Sequence, residues 1–165
     1  PYSDAQLSQG LWFLADNACS NHIFALLAES VPLSERLACI RAIFILYERL
    51  FAVRCSDHLS HTLCNDDPKV NPLNQICYMW WDVLPIYAKP NETSQKQIKL
   101  ACLDVMEETL SLKSLACQES ALHGLGHWNQ AYPKRIQEAI NQFLKANPHT
   151  PLTEYAEAAR TGCIQ

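Results

Sequence analysis

Residues 121–144, ALHGLGHWNQAYPKRIQEAINQFL, predict the end of one helix and most of the next. Tyr132-Pro133 interrupts the chain between them, and proline suits the first turn of a new helix. The second half has apolar residues at helical spacing, namely Ile136, Ala139, Ile140, Phe143 and Leu144. The stretch therefore predicts an antiparallel helical hairpin over about 114–147.

A second hairpin is predicted immediately upstream, over about 73–112. Its first helix starts near Leu73 and is ended or kinked by Pro85. Its second helix is capped by Ser94 and carries a strict helical repeat of Ile98, Ala101, Cys102, Val105 and Thr109.

Helices are also predicted at both ends of the sequence. Ser3-x-x-Gln6 matches a capping box, in which each residue satisfies a backbone N–H of the other at a helix start. A terminal helix over about 151–162 is closed by Gly162, since glycine tolerates the left-handed backbone that follows a helix end.

The most apolar window is Cys39 to Val53, in which 12 of 15 residues are apolar. These residues are spread around the whole helical wheel, which is typical of a helix buried on most sides. We therefore predict a central buried helix over about 34–58.

Composition agrees with an all-α fold. The chain has 165 residues, of which 48% are hydrophobic and only 4 are glycine. Neither the dinucleotide fingerprint GxGxxG nor the phosphate-binding P-loop motif occurs, and no segment alternates as a strand does. We predict a single all-α domain over 1–165, with about seven or eight helices in antiparallel hairpins.

The segment Ala121-Leu122-His123-Gly124-Leu125-Gly126-His127 resembles the Ala-Leu-x-x-Leu-Gly core of a HEAT repeat helix. Pro133 to Leu144 fits the second helix of such a repeat. Over its C-terminal third the chain thus resembles HEAT or armadillo-like α-helical repeat proteins, of a type found in bacteria. The resemblance implies a right-handed superhelix or an irregular helical array, and a protein–protein interaction module of the adaptor or immunity type.

Net charge and cysteine content limit which partners and which cellular compartment are expected. The net charge is −4 and no run of Lys and Arg occurs, so we predict no nucleic acid and no membrane as partner. The acidic groups Asp66-Asp67 and Asp104/Glu107/Glu108 favour a basic protein partner, and a homo-oligomer stays open. Eight cysteines without a CxxC pair are expected to be mostly buried, reduced thiols, which predicts a cytoplasmic protein.

A polar stripe on one predicted helix is the main candidate site. Glu119, His123 and His127 are spaced four apart, so they share one face, opposite the apolar residues of that helix. We expect this stripe to face solvent or a groove and to form a binding surface together with two aromatic residues, Trp128 and Trp81. Of the adjacent Trp80 and Trp81, one is expected in the core and the other partly exposed. No catalytic residue and no cofactor are assigned.

The alternative for this stripe is a metal-dependent hydrolase. Two histidines four residues apart on a helix can share a Zn²⁺ ion, and Glu119 is the candidate third ligand beside His123 and His127. The metalloprotease pattern H-E-x-x-H is absent, because Gly124 follows His123. The spacing alone does not decide between a metal site and a binding surface.

A second group of soft ligands is Cys55-x2-His58-x2-His61-x2-Cys64. On a regular helix each step of three residues turns about 300°, so these four side chains cannot surround one ion. We interpret them as the fraying end of the central helix.

Two glycines lie inside the helix that carries the stripe. Gly124 and Gly126 each cost up to about 1 kcal/mol relative to alanine in a helix interior. We expect the reason to be close approach of neighbouring helices, with a local break in the helix as the alternative.

Overall fold

A computed structural model of the chain describes residues 2–62, 71–92 and 95–164. In chain order the α-helices are α1 (Asp4–Ala15), α2 (Leu33–Leu46), α3 (Ala52–Arg54), α4 (Pro72–Val83), α5 (Lys96–Thr109), α6 (Leu115–Trp128), α7 (Pro133–Ala146) and α8 (Thr153–Thr161). Short 3-10 turns occupy His22–Leu26 and Ser60–Thr62, and a π-helical turn, Tyr47–Phe51, joins α2 to α3. No strand occurs in the described ranges, so the predicted all-α class is confirmed.

The helix at the centre of the molecule is α6. Of its 14 residues, only Leu115 and His127 are not buried. It packs against four other helices: α4 and α5, which precede it in the chain, and α7 and α8, which follow it. Alanine, serine and glycine make up much of α6, and such small side chains let several neighbouring helices approach it closely.

The prediction of a central buried helix over about 34–58 is wrong. The segment forms α2, the π-helical turn and α3, and it lies at the surface, with Ile45 49% and Val53 72% exposed. Only one face is buried, through Ile40, Ile43, Tyr47 and Phe51. The five charged residues between 35 and 49 must reach water, so the helix cannot be enclosed on all sides.

The hairpins are only partly as predicted. Helices α6 and α7 follow each other and pack together over the predicted range of about 114–147. Helices α4 and α5, predicted as a hairpin over about 73–112, instead pack mainly against other partners: α4 against α6 and α1, and α5 against α2 and α6. The superhelical arrangement of a HEAT repeat stays a prediction.

Several helix ends follow the local sequence signals, whereas α5 begins after Gln95 and its predicted cap, Ser94, lies outside the described residues. The Ser3 hydroxyl accepts from the Gln6 amide at 3.2 Å, and the Gln6 side chain accepts from the Ser3 amide at 3.0 Å, so the predicted capping box is confirmed. Helix α4 ends at Val83, two residues before Pro85. Helix α8, predicted over about 151–162, ends at Gly162 with a φ of 74°, the left-handed conformation that glycine adopts without strain.

The cysteines are less buried than expected. Cys77, Cys102 and Cys117 are buried, whereas Cys19, Cys39 and Cys163 are exposed and Cys55 is intermediate; these seven are free thiols. Burial raises the pKa of Cys102 to about 12, so this thiol stays protonated. Cys19 and Cys163 lie just beyond helix ends. Cys39 lies on the outer face of α2, a helix that the sequence predicts to be buried.

Helices in the described ranges fall short of the length and apolar character that crossing a bilayer requires.

Close helix packing explains both glycines of α6, as expected. A Cβ atom at Gly124 would lie 2.7 Å from Cγ of Trp81 on α4. A Cβ atom at Gly126 would lie 3.1 Å from the Cα atom of Ala159 on α8 and 2.5 Å from Cδ1 of Ile164. Any side chain at either position would push a neighbour away from α6.

We therefore expect Gly124→Ala to lower the free energy of unfolding by about 1–3 kcal/mol, the usual cost of overpacking a core. The matched control is Gly10→Ala in the exposed part of α1, where an added Cβ meets nothing within 4 Å. That control should be neutral or stabilise the protein by up to about 1 kcal/mol. Urea unfolding measures both, and equal effects of the two substitutions would contradict the packing account.

Candidate metal centre

The structure buries most of the predicted binding surface. Glu119 is 0% and His123 2% exposed, and only His127 reaches the surface. The expectation that this stripe of α6 faces solvent is therefore wrong for two of its three residues. The reason is that α4, α8 and the turn Ser60–Thr62 cover this face with polar side chains of their own.

The tryptophans are also buried. Trp81 is 3%, Trp128 4% and Trp80 6% exposed, so neither member of the adjacent pair is the partly exposed one expected. Helix α4 packs against both α6 and the π-helical turn: Trp81 contacts Gly124, and Trp80 packs edge-on against Phe51.

Three ligand-type side chains converge where α4 meets α6. Asp82 of α4 places Oδ2 at 2.8 Å from Nε2 of His123 and Oδ1 at 3.3 Å from Nε2 of His127. The two Nε2 atoms are 3.2 Å apart. Among the described residues, Asp82, His123 and His127 form the one cluster of at least three His, Cys, Asp or Glu side chains whose ligand atoms are close enough to share an ion.

These separations match the coordination sphere of a small divalent ion. Ligand atoms about 2.1 Å from an ion stand about 3.0 Å apart at adjacent corners of an octahedron, and about 3.4 Å apart in a tetrahedron. The observed distances of 2.8, 3.2 and 3.3 Å lie around these values, the first and last of them measured from different oxygens of Asp82. The third ligand predicted from sequence, Glu119, is not part of this group; Asp82 takes that place.

A second layer of hydrogen bonds fixes the ring of His123. Its Nδ1 atom lies 2.6 Å from the hydroxyl of Tyr155 on α8, which is 3.0 Å from the hydroxyl of Tyr78 on α4. The Tyr78 ring also lies against the imidazole, with centroids 4.3 Å apart. Histidines that bind metal usually donate their other ring N–H to such a partner, which sets the orientation and tautomer of the ring.

The electrostatics favour the protonation states that a metal needs. Burial lowers the pKa of His127, with a further decrease from His123 and a partial opposing effect of Asp82. Burial alone would raise the pKa of Asp82, but the hydrogen bond from His123 and the proximity of both histidines bring it below its usual value. Burial, followed by the Tyr78 hydrogen bond, raises the pKa of Tyr155, which therefore stays a neutral phenol.

Glu119 holds a neighbouring segment instead of an ion. Its buried carboxylate accepts from the backbone amides of Ser60 and His61, each at 2.9 Å, and lies 2.6 Å from Nδ1 of His61. The His61 ring stacks on Tyr155 with centroids 4.1 Å apart. We call these contacts the Glu119 clasp; it ties the turn Ser60–Thr62 to α6, next to the second layer of the metal centre.

The spaced cysteines and histidines at 55–64 do not form a site of their own. His61 belongs to the Glu119 clasp, and His58 is exposed in an irregular segment. Cys64 lies outside the described residues. The segment is not the helix end expected, since α3 stops at Arg54.

Of the two predicted acidic groups, one lies within the described residues. Asp66-Asp67 lies outside the described residues. In the other group, Arg135 of α7 binds Asp104 at 2.6 Å and Glu107 at 2.5 Å. One of the three negative charges of this group is thus compensated within the chain, which weakens the case for it as a docking surface for a basic partner.

Asp82 and Tyr155 are the site residues that the sequence reasoning missed, and His61 was considered only as part of the spaced group at 55–64. One signal was available: Tyr78 and Asp82 are spaced four apart on the predicted helix 73–87, as His123 and His127 are on theirs. Each pair shares a helix face. Nothing in either helix alone indicated that these two faces meet.

We expect Glu119→Gln to loosen the turn Ser60–Thr62, because an amide nitrogen would then face backbone N–H donors. Leaving a buried donor unsatisfied costs about 1–3 kcal/mol. Hydrogen exchange at the Ser60 and His61 amides should therefore accelerate. Glu138→Gln on the exposed face of α7 is the matched control, and equal exchange in both variants would contradict the clasp.

Comparisons with known proteins give no assignment: no family model, no curated protein and no solved structure matches the chain. The HEAT or armadillo resemblance stays a prediction.

Proposed function

We propose that this chain binds a divalent transition-metal ion through Asp82, His123 and His127, and that the ion serves a hydrolytic reaction. One observation carries the proposal. Two imidazole nitrogens of α6 and the two carboxylate oxygens of Asp82 on α4 come together at the edge of the core, with contacts of 2.8–3.3 Å.

The donor set favours Zn²⁺ or a similar first-row ion. Imidazole nitrogen suits zinc and iron, whereas Mg²⁺ and Ca²⁺ prefer oxygen ligands alone. Structural zinc sites are closed by four protein ligands, and catalytic sites have three with an open position. Three ligands with an exposed member, His127, fit the catalytic type.

The chain's own residues supply orientation and a defined charge. Tyr155 holds the His123 ring through Nδ1, and Asp82 contributes one negative charge beside His123 and His127. An ion bound there polarises a carbonyl oxygen and lowers the pKa of water. The open side lies toward a cleft that Asp82 and His127 both line.

Metal content is the direct test. Untagged wild-type protein should hold close to one ion per chain, and added Zn²⁺ should raise its melting temperature, because a ligand that binds only the folded state stabilises it. His127→Ala, at a side chain 43% exposed, should keep the fold and lose stoichiometric binding. Tyr155→Phe should weaken binding about 10- to 100-fold, as is typical for partners of ligating histidines.

His149→Ala is the matched control, since His149 is an exposed histidine remote from Asp82 in the packing of the chain. It should bind the ion as the wild type does. A wild type that binds no ion after incubation with Zn²⁺, Co²⁺ or Fe²⁺, or a His127→Ala variant that binds as tightly, would overturn the proposal.

Metal affinity should depend on pH with a defined sign. Protons compete with the ion for imidazole nitrogen, and the pKa of His127 lies below its ordinary value of about 6.5. Affinity should therefore fall on acidification, and protonation of His127 should contribute to that loss only at a pH below the range of an ordinary histidine. Zn²⁺ competition with a chelator at each pH measures this, and affinity that rises on acidification would contradict it.

A protein–protein interaction module is the second candidate function. Exposed apolar side chains favour it, and most lie in the N-terminal third: Phe13, Leu14, Phe24, Leu33, Ile45 and Val53. Apolar surface of this kind is typical of binding proteins, as the HEAT-like resemblance implies. Loss of partner capture in a Val53→Asp variant that keeps its metal content would separate this function from the first.

The proposal includes a reducing, cytoplasmic environment. Seven cysteines in the described ranges are free, and three of them are exposed to solvent. Exposed thiols persist where cellular reductants keep them reduced.

A further inference from the structure

A cleft adjoins the proposed metal centre on its exposed side. It has a volume of about 310 Å³, and its lining consists of Trp81, Asp82, Tyr87, Ala88, His127 and Trp128. Asp82 and His127 belong to both the cleft and the metal centre, whereas His123 lies in the protein interior. A molecule in the cleft would therefore lie beside two of the three side chains that would hold the ion.

The charge of the lining limits what the cleft can hold. Asp82 is the one charged side chain among the six, and neither lysine nor arginine is present. A divalent ion on Asp82 gives the site a net charge of about +1, enough for one anionic oxygen. Phosphate groups carry more charge and are usually bound by arginine, lysine or several backbone amides.

The shape and chemistry of the walls favour a flat ring. Three of the six lining residues are aromatic, and Tyr87 stands at the mouth with 60% of its surface exposed. The buried Nε1 atom of Trp81 has no hydrogen-bond partner within the described part of the chain. The volume lies at the low end of the range for ligand pockets, so the molecule must be small.

We propose that the ligand of this cleft is a small carboxylic-acid derivative attached to a planar ring. Its carbonyl or carboxylate oxygen binds the ion, and its ring lies against Tyr87 and the tryptophan side chains. This inference rests on the proposed metal-binding function. It adds the chemical class of the ligand and assigns Tyr87 to ligand specificity.

Two hydroxamates that differ only in the ring provide the test. Benzohydroxamate and acetohydroxamate bind metal through the same two oxygens, so the ratio of their affinities reports the ring contacts. In Co²⁺-loaded protein, followed by the visible absorption of the ion, benzohydroxamate should bind at least about tenfold more tightly. Tyr87→Ala should reduce this preference severalfold with unchanged metal content. Tyr2→Ala, which removes another exposed tyrosine, should not change it.

The outcomes separate the two proposals. Wild-type protein that takes up no ion overturns both. Stoichiometric Co²⁺ with equal affinity for the two hydroxamates, with tighter binding of inorganic phosphate, or with an unchanged ring preference in Tyr87→Ala overturns the ligand class and leaves the metal centre standing. Equal binding of benzohydroxamate by metal-free protein also overturns this inference, since the oxygen would then not bind the ion.

Discussion

The burial of a partly polar helix on nearly all sides is the constraint on which the rest of the structure depends. Helix α6 has Glu119, Ser120 and His123 in the protein interior, where an unpaired polar group is costly. Each of them is hydrogen-bonded. Ser120 donates to the Cys77 carbonyl on α4 and lies 2.7 Å from the Tyr47 hydroxyl. The surrounding elements are thus held in the positions that satisfy α6.

This requirement joins distant parts of the sequence. Asp82 on α4, Tyr155 on α8 and the turn Ser60–Thr62 all reach the same face of α6. Nonpolar packing alone would tolerate small shifts between these elements, whereas hydrogen bonds of 2.6–2.9 Å do not. The ligand atoms of the proposed metal centre are therefore fixed by the same contacts that define the fold.

Local signals in the sequence predicted helix ends well and helix positions less well. The Ser3 capping box and the Gly162 end of α8 depend on a few adjacent residues, so they are readable without tertiary structure. Apolar content alone predicts the wrong central helix, because it does not measure burial. The segment 39–53 is richer in apolar residues than α6, but its charged side chains need contact with solvent. Helix α6 can be buried because its polar side chains form hydrogen bonds with neighbouring elements. The pairing of Asp82 with two histidines more than 40 residues away depends on the contact between α4 and α6, which no periodicity in either helix reveals.

The double role of α6 restricts how the protein can diverge in evolution. Its two histidines flank two glycines within about one and a half turns, so a change of chemistry at His123 or His127 occurs next to a position where no side chain fits. A lineage that altered the ligands would have to preserve Gly124 and Gly126 and adjust Asp82 and Tyr155 at the same time. Such coupled changes are rarely reached one substitution at a time, because the intermediates are destabilised. Substitution is more accessible at Tyr87, which follows α4 with 60% of its surface exposed.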